Sequence, residues 1–169
     1  MAALLYRKAE MGLFNSVPHV SLANRTHLPE LKRLYEEGFS TPAETEAPEP
    51  EARPTQADVE SWLRGGFEVY QAHLQGRLAG AVRCSFPISA CDIDQLVVAP
   101  GERRRGIGRH MMEHALGRAQ RAGVIHVWTE VRPGLAAALQ LFLDLGFRET
   151  TRIPAPPWRQ ELILLEMYI

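Results

Sequence analysis

Four arginines surround two glycines, Gly106 and Gly108, in the segment PGERRRGIGRHMMEHA at residues 100–115. The pattern predicts a helix that begins in this segment, and the first turn of a helix carries unpaired backbone N–H groups and a partial positive charge. The two glycines let an anion approach those N–H groups closely, because they have no side chain. Arginine adds charge and paired donors that suit phosphate oxygens. The segment therefore predicts a site for a phosphate or pyrophosphate.

Two common phosphate-binding motifs do not match this segment. A Walker loop needs a Lys followed by Ser or Thr after its second glycine, and neither is present here. The dinucleotide motif needs a third glycine where this chain has Met111. The pattern that remains is RxxGxG, formed by Arg103, Gly106 and Gly108, directly after the strand-like segment LVVAP.

The elements that must position this turn follow from hydrophobic periodicity and from Gly and Pro punctuation. VPHVSL at 17–22 predicts a strand, THLPELKRLYEEG a helix capped by Thr26 and ended by Gly38, and TQADVESWLRGG a helix capped by Thr55. The remaining predicted elements are the hairpin FEVYQAHL and LAGAVRCSF, the strand 91–100, the helix to about Ala122, the strand VIHVWTEV, the helix LAAALQLFLDLG, and the strands FRETTRI and QELILLEMYI. This order predicts an α/β fold with a mixed central sheet and helices on both faces.

Composition limits the class of protein. The 169 residues fit a tail or short helix at 1–16 followed by a single domain at 17–169, and the net charge of −1 argues against a nucleic-acid partner. No apolar run approaches the roughly 20 residues of a membrane span, and the N-terminus lacks the charge order of a signal peptide. Cys84 and Cys91 form no CxxC pair, so we expect free thiols, no bound metal and a cytoplasmic location.

RxxGxG after LVVAP resembles the hallmark motif of the GCN5-related N-acetyltransferase family, and LQLFLDLGF at 139–147 resembles that family's second motif. The resemblance implies that acetyl-CoA is the co-substrate. It implies that the backbone N–H groups of residues 104–109 hold the pyrophosphate, that the main chain of residues 96–98 pairs with the pantetheine, and that an amide there stabilises the oxyanion. The implied cofactor-binding residues are Leu96, Val97, Val98, Arg103, Arg104, Arg105, Gly106, Ile107, Gly108, Arg109 and Phe142.

Acetyl transfer to an amine also needs a base, because an ammonium group has no lone pair. Asp92 and Asp94 precede Leu96 on one predicted strand, and strand alternation puts all three on one face unless a bulge intervenes. Asp94 is nearer to the expected thioester position, and Glu130 on the next strand is a third candidate. The alternative is that these carboxylates are solvated residues at strand edges or turns.

The second motif departs from the family pattern at Phe142, where a tyrosine commonly protonates the departing thiolate, and at Leu135, where an asparagine is common. Phenylalanine cannot donate a proton. Two readings remain: an enzyme that transfers acetyl directly to a primary amine in a ternary complex without this acid, or a non-catalytic acyl-CoA sensor.

Three further features leave alternatives open. His110, Glu113 and His114 spell HxxEH, which suggests a zinc hydrolase or, more simply, two surface histidines. The acidic segment 43–52 suggests either a lip that attracts a cationic small-molecule or peptide amine, or a solvated loop. The closing strand pair makes a homodimer plausible by resemblance to the family.

Overall fold

The computed structural model describes residues 17–40, 53–154 and 161–169. Seven strands in these ranges form one mixed sheet in the order β1-β2-β3-β4-β5-β7-β6, in which only β4 and β5 run parallel. The strands are β1 (His19–Leu22), β2 (Glu68–Leu74), β3 (Arg77–Ser85), β4 (Ala90–Val98), β5 (His126–Val131), β6 (Arg148–Ile153) and β7 (Leu162–Tyr168). The predicted order of strands and helices is confirmed.

Helices cover both faces of the sheet, as the sequence predicts. They are α1 (Leu28–Ser40), α2 (Gln56–Arg64), α3 (Ile107–Arg121) and α4 (Ala136–Asp144). One buried cluster joins α1 and α2 to Val69, Ala81 and Val97 of the sheet. A second, larger cluster joins α3 and Phe142 of α4 to the opposite side chains of the strands, including the free thiols of Cys84 and Cys91.

The first helix differs from its prediction at both ends. Asn24, rather than Thr26, caps a short 3-10 turn that leads directly into α1. Gly38 does not end the helix, which continues to Ser40. A β-carbon on Gly38 would lie 2.2 Å from Val97 Cγ2, so this glycine allows α1 to pack closely on β4. Close packing against β4, rather than the end of the helix, explains the glycine at position 38.

Close packing also fixes the start of α3 beside the end of β4. A β-carbon on Gly80 of β3 would lie 2.7 Å from Met111 Sδ and 3.3 Å from Ile107 Cγ2. The missing side chain therefore lets the first turns of α3 rest on the sheet. The predicted N-terminal tail, the acidic segment 43–52 and residues 155–160 lie outside the described residues. Within the described ranges, no helix is both long and apolar enough to span a membrane.

Candidate active site

Strands β4 and β5 separate at the end of the sheet that leads into α3. Their ladder consists of Ala90↔His126, Cys91↔Val127 and Asp92↔Trp128, yet β4 continues to Val98. From residue 93 onwards, the β5-facing edge of β4 has no ladder partner among the described strands. Free N–H and C=O groups on a strand edge can pair with an extended ligand as with an added strand.

A bulge in β4 lies within this separated part. Ala81 pairs with Val97 and Arg83 pairs with Asp94, so β4 has one more residue than β3 between these pairs. Gln95 adopts φ +50°, a left-handed conformation that is uncommon for a residue with a side chain. A bulge of this kind interrupts the ladder and re-aims the backbone groups near residues 95–97.

The bulge corrects the expectation that Asp92, Asp94 and Leu96 share one face. Leu96 packs against the α3 cluster, on the side of Ile93, whereas Val97 belongs to the α1 and α2 cluster. Asp92 and Asp94 alternate with Ile93 and therefore face the α1 and α2 side. Glu130 alternates with Val131 of the α3 cluster, so it lies on the same side as the two aspartates.

The turn between β4 and α3 presents an uncapped helix start. Gly106 is the N-cap residue with φ +79°, Arg104 has φ +64°, and no side chain caps the first N–H groups. No described heavy atom lies within 4 Å of the position that a β-carbon on Gly106 would take. Gly108 packs near Val98 and Leu141, which holds the turn against β4 and α4. An anion therefore has both open space and unpaired donors here.

The arginine side chains of this turn are largely engaged with protein groups. Arg103 donates from Nη2 to the carbonyl oxygen of Gly38 over 2.7 Å and from Nε to that of Val98 over 3.3 Å, and burial lowers its pKa. Arg105 pairs with Glu102, and Arg109 Nη2 lies 3.3 Å from Asp144 Oδ2. The geometry thus favours the backbone, more than the guanidinium groups, as the anion-binding element.

The candidate carboxylates differ in their surroundings. Burial, followed by the negative charges of Asp94 and Glu130, raises the pKa of Asp92 to about 7, although Arg83 opposes this rise. A carboxylate that titrates near neutral pH is suited to accept and release a proton. Glu130 is exposed on β5. Asp92 sits at the last β4–β5 pair, where the strands begin to separate.

Asp94 is held in an ion pair that the sequence does not reveal. Arg83, its cross-strand partner on β3, donates from Nε to Asp94 Oδ1 over 2.7 Å and from Nη2 to Asp94 Oδ2. The guanidinium carbon lies 4.4 Å from the ring centres of both Trp62 and Phe67. The register of β3 against β4 brings Arg83 and Asp94 together, and the packing of α2 and the segment after it adds Trp62 and Phe67.

Among the described tyrosines, Tyr35 contacts the separated part of β4, but its hydroxyl already donates to a main-chain carbonyl oxygen there. Phe142 is buried and packs edge to face on Phe147 at 5.4 Å. Tyr70 donates to Glu68 in the α3 cluster, and Tyr168 stacks on His126 at the opposite end of β5. Tyr35 is buried and donates to the carbonyl oxygen of Gln95. Leu135 forms the N-cap of α4 without a capping side chain.

The HxxEH histidines lie on α3, away from the separated strands. His114 packs edge-on against Tyr70 with ring centres 4.9 Å apart, and burial lowers its pKa. Among the residues that the structure describes, no group of three His, Cys, Asp or Glu side chains is placed to hold a metal ion.

Comparison with known proteins independently supports the family resemblance of the two sequence motifs. The sequence model described as Acetyltransferase (GNAT) family matches residues 28–147. The ribosomal protein bS18 alanine N-acetyltransferase of Escherichia coli K12 is 29% identical over 104 residues, which cover 59% of this chain and 70% of that protein.

Solved structures share the fold. The crystal structure of the ribosomal-protein-S18-alanine N-acetyltransferase from Escherichia coli gives a TM-score of 0.76 at 22% identity, covering 90% of this chain and 94% of that chain. The PaiA N-acetyltransferase from Thermoplasma acidophilum, solved in complex with coenzyme A, gives 0.75 at 11% identity, covering 90% and 99%.

Proposed function

Because the chain belongs to the GNAT acetyltransferase family, we propose that it transfers the acetyl group of acetyl-CoA to the α-amino group at the N-terminus of a protein or peptide. The separation of β4 and β5 carries this proposal. It leaves a free strand edge on β4, next to the uncapped start of α3 and to Asp92. The name of the similar E. coli enzyme supports the choice of a protein amine as acceptor.

The chain offers a complementary group for each part of acetyl-CoA, which supplies an acetyl group activated as a thioester. The N–H groups of residues 104–109 bind the pyrophosphate, with Gly106 giving close approach. The free edge of β4 hydrogen-bonds the pantetheine arm. An amide released from the ladder by the bulge near Leu96 donates to the acetyl carbonyl oxygen, on which negative charge develops.

Asp92 acts as the base in direct transfer from a ternary complex. It accepts one proton from the ammonium form of the acceptor, and the neutral nitrogen then bonds to the acetyl carbon. The carbon–sulfur bond breaks with both electrons on sulfur, and the thiolate takes up, through water, the second proton that the nitrogen loses as the amide forms. A thiol with a pKa of about 8.5 leaves as a thiolate at modest cost, so Phe142 slows the step without preventing it.

Charge supports an amine acceptor. Asp92, Asp94 and Glu130 lie on one side of the sheet, and Glu166 lies across from Trp128 on the same side. Arg83 forms an ion pair with Asp94, so Glu130, Glu166 and the charged form of Asp92 provide the net negative charge. Such a surface raises the local concentration of cationic substrates.

The experiment is a thiol-release assay with purified protein, acetyl-CoA and three kinds of acceptor. The acceptors are peptides that begin with alanine, the same peptides with a blocked N-terminus and an internal lysine, and small polyamines. Turnover with the free N-terminus alone supports the proposal. Turnover only with lysine or polyamine overturns the acceptor class, and binding of acetyl-CoA without turnover by any amine supports the acyl-CoA sensor instead.

The proposal also includes a cytoplasmic location and a homodimeric state. A cytoplasmic location agrees with the free, buried Cys84 and Cys91, because reducing compartments preserve thiols. A homodimer would use the closing strands, of which β6 is an exposed sheet edge. Light scattering of the purified protein tests the dimer, since a monomeric mass contradicts it.

A further inference from the structure

We propose that Arg83 is a positioning residue for acetyl transfer: held between Trp62 and Phe67, it binds Asp94 and so leaves Asp92 as the proton acceptor. The inference rests on the proposed function and adds a residue that no motif of the sequence indicates. Asp92 and Asp94, which are separated by one residue on the same side of β4, then have different roles: Asp94 binds Arg83, and Asp92 accepts the proton.

Two aromatic rings and one carboxylate contact the guanidinium group of Arg83. The rings of Trp62 and Phe67 each lie 4.4 Å from the guanidinium carbon, within the range of cation–π contact. Two N–H groups point at the two oxygens of Asp94 in the fork geometry that only arginine provides. With its side chain 16% exposed, Arg83 has little freedom to leave this position.

This arrangement gives the two aspartates different tasks. Both oxygens of Asp94 accept hydrogen bonds from Arg83, so a proton taken up by Asp94 would weaken this ion pair. No side-chain hydrogen bond to Asp92 forms among the described residues, and its carboxylate remains available to an amine. Arg83 therefore selects which carboxylate works as the base.

Charged groups on three strands interact electrostatically with Asp92. Asp94 on its own strand and Glu130 on β5 favour its protonated form, and Arg83 on β3 favours its charged form. On α1, Tyr35 interacts electrostatically with Asp94 and Arg83, and its hydroxyl donates to the carbonyl oxygen of Gln95. On α2, Asp58 interacts electrostatically with Arg83. Removing Arg83 leaves the charge of Asp94 uncompensated, so protonation of Asp92 becomes easier.

The test measures kcat/KM against pH for the wild type and for Arg83→Met, Asp94→Asn and the double variant. In Arg83→Met, we expect the acid limb to move up by about one pH unit, which is the size of effect that a nearby charge produces. Below the limb this is about a tenfold loss of kcat/KM. In Asp94→Asn the limb moves down, and the double variant lies between the two.

A matched control comes from Arg118, which also pairs with a carboxylate, Glu68, and lies 4.8 Å from the ring centre of Phe86. Arg118→Met removes the same kind of contact from α3, on the other face of the sheet, and should leave the limb unchanged. If Arg83→Met and Arg118→Met change the profile equally, Arg83 has only a structural role and the inference is overturned.

A measurement without turnover separates this inference from the proposed function. NMR titration of carboxyl-labelled aspartate follows Asp92 directly in the folded wild type and in Arg83→Met. A higher titration point for Asp92 in the variant supports the inference even where no amine is acetylated, in which case the proposed function alone fails. An unchanged titration point in a folded Arg83→Met overturns the inference, whatever the activity.

Discussion

Tyr35 Oη, on helix α1, donates a hydrogen bond to the main-chain carbonyl oxygen of Gln95, in the bulge of β4, over 3.3 Å. The tyrosine is 1% exposed, and its ring packs edge-on against Trp62 at 5.8 Å. Gln95 is the residue with left-handed φ, so the contact ties α1 to the strained position of the strand. One buried hydroxyl thus connects the helix layer with the edge that we assign to pantetheine.

Tyr35→Phe removes only this hydroxyl and keeps the ring. We expect a loss of about 0.5–1.5 kcal/mol in the free energy of unfolding, the usual net value of one hydrogen bond. We also expect kcat to fall, by less than the roughly 10²–10³-fold that follows removal of an oxyanion donor. Urea denaturation and steady-state kinetics check both. A less stable variant with unchanged kcat would limit Tyr35 to packing.

The contact between α1 and β4 depends on a glycine inside the helix. In Gly38→Ala, the new methyl group would lie 2.2 Å from Val97 Cγ2, and we expect a loss of about 1–3 kcal/mol of stability from overpacking. Gly117→Ala in α3 is the matched control, because only the mobile end of Arg121 lies near, at 3.3 Å. There alanine should stabilise by up to about 1 kcal/mol. Equal effects in thermal denaturation would refute the packing argument.

The proposed pyrophosphate site at residues 104–109 depends on the backbone conformation of Gly106. Gly106→Ala meets no neighbouring atom but forces a side chain into φ +79°, which costs about 1–2 kcal/mol. Relaxation of that strain would misplace the N–H groups, so we expect weaker binding of coenzyme A by calorimetry. Gly101→Ala, also in open space but without positive φ, should bind like the wild type. Normal affinity in Gly106→Ala would contradict the assigned anion site.

If Asp92 is the base, as we propose, its protonation sets the pH dependence of kcat/KM. Because its pKa in the folded protein is raised to about 7, the base is charged above that pH, and kcat/KM should rise through pH 7 and then level off. Asp92→Asn should lower kcat/KM by about 10²–10⁴-fold and remove this limb. Glu130→Gln is the comparison, and if it causes the larger loss, Glu130 rather than Asp92 is the base.

Stability gives a second readout for Asp92. A carboxyl whose pKa is higher in the folded than in the unfolded state destabilises the fold increasingly as pH rises from about 4 to 7. Asp92→Asn should therefore be more stable than the wild type at pH 8, by about 1–2 kcal/mol after allowance for solvent screening, and not at pH 3. Equal gains at both pH values would contradict the raised pKa.

The missing acid can be restored. Phe142→Tyr adds a proton donor at the position where the family commonly has one, and we expect kcat to increase, within the roughly 10²–10⁴-fold range of general acid catalysis. Phe147→Tyr, on the ring in contact with Phe142, controls for the added hydroxyl. An unchanged kcat in Phe142→Tyr would mean that water already protonates the thiolate fast enough.

Much of the fold follows from local patterns. Periodicity and turn residues predict, in order, the seven strands and four α-helices of the described ranges, because side chains alternate along a strand and repeat along a helix. Thr55 is confirmed as the cap of α2 for the same reason, since a capping residue acts within one turn. The predicted helix end at Gly38 is wrong, because the sequence does not distinguish a glycine that permits close packing from one that ends a helix.

The features of the candidate site also differ in whether the sequence predicts them. The glycine turn at the start of α3 can be predicted from sequence, because its conformation depends on residues that are adjacent in the chain. The bulge at Gln95 could not be, since it becomes visible only through the register of β3 against β4. That one extra residue turns Leu96 to the opposite face from Asp92 and Asp94, which strand alternation alone places together.

The sequence by itself determined the order of elements, the glycine turn that begins α3 and three candidate carboxylates, because these depend on residue type and short spacing. Only the tertiary structure decided how the carboxylates differ. Arg83 on β3 binds Asp94 on the neighbouring strand β4, and Trp62 and Phe67 lie against its guanidinium group from α2 and the segment that follows. Burial raises the pKa of Asp92. Electrostatic environment depends on distance in space, and distances between separate elements are set by packing.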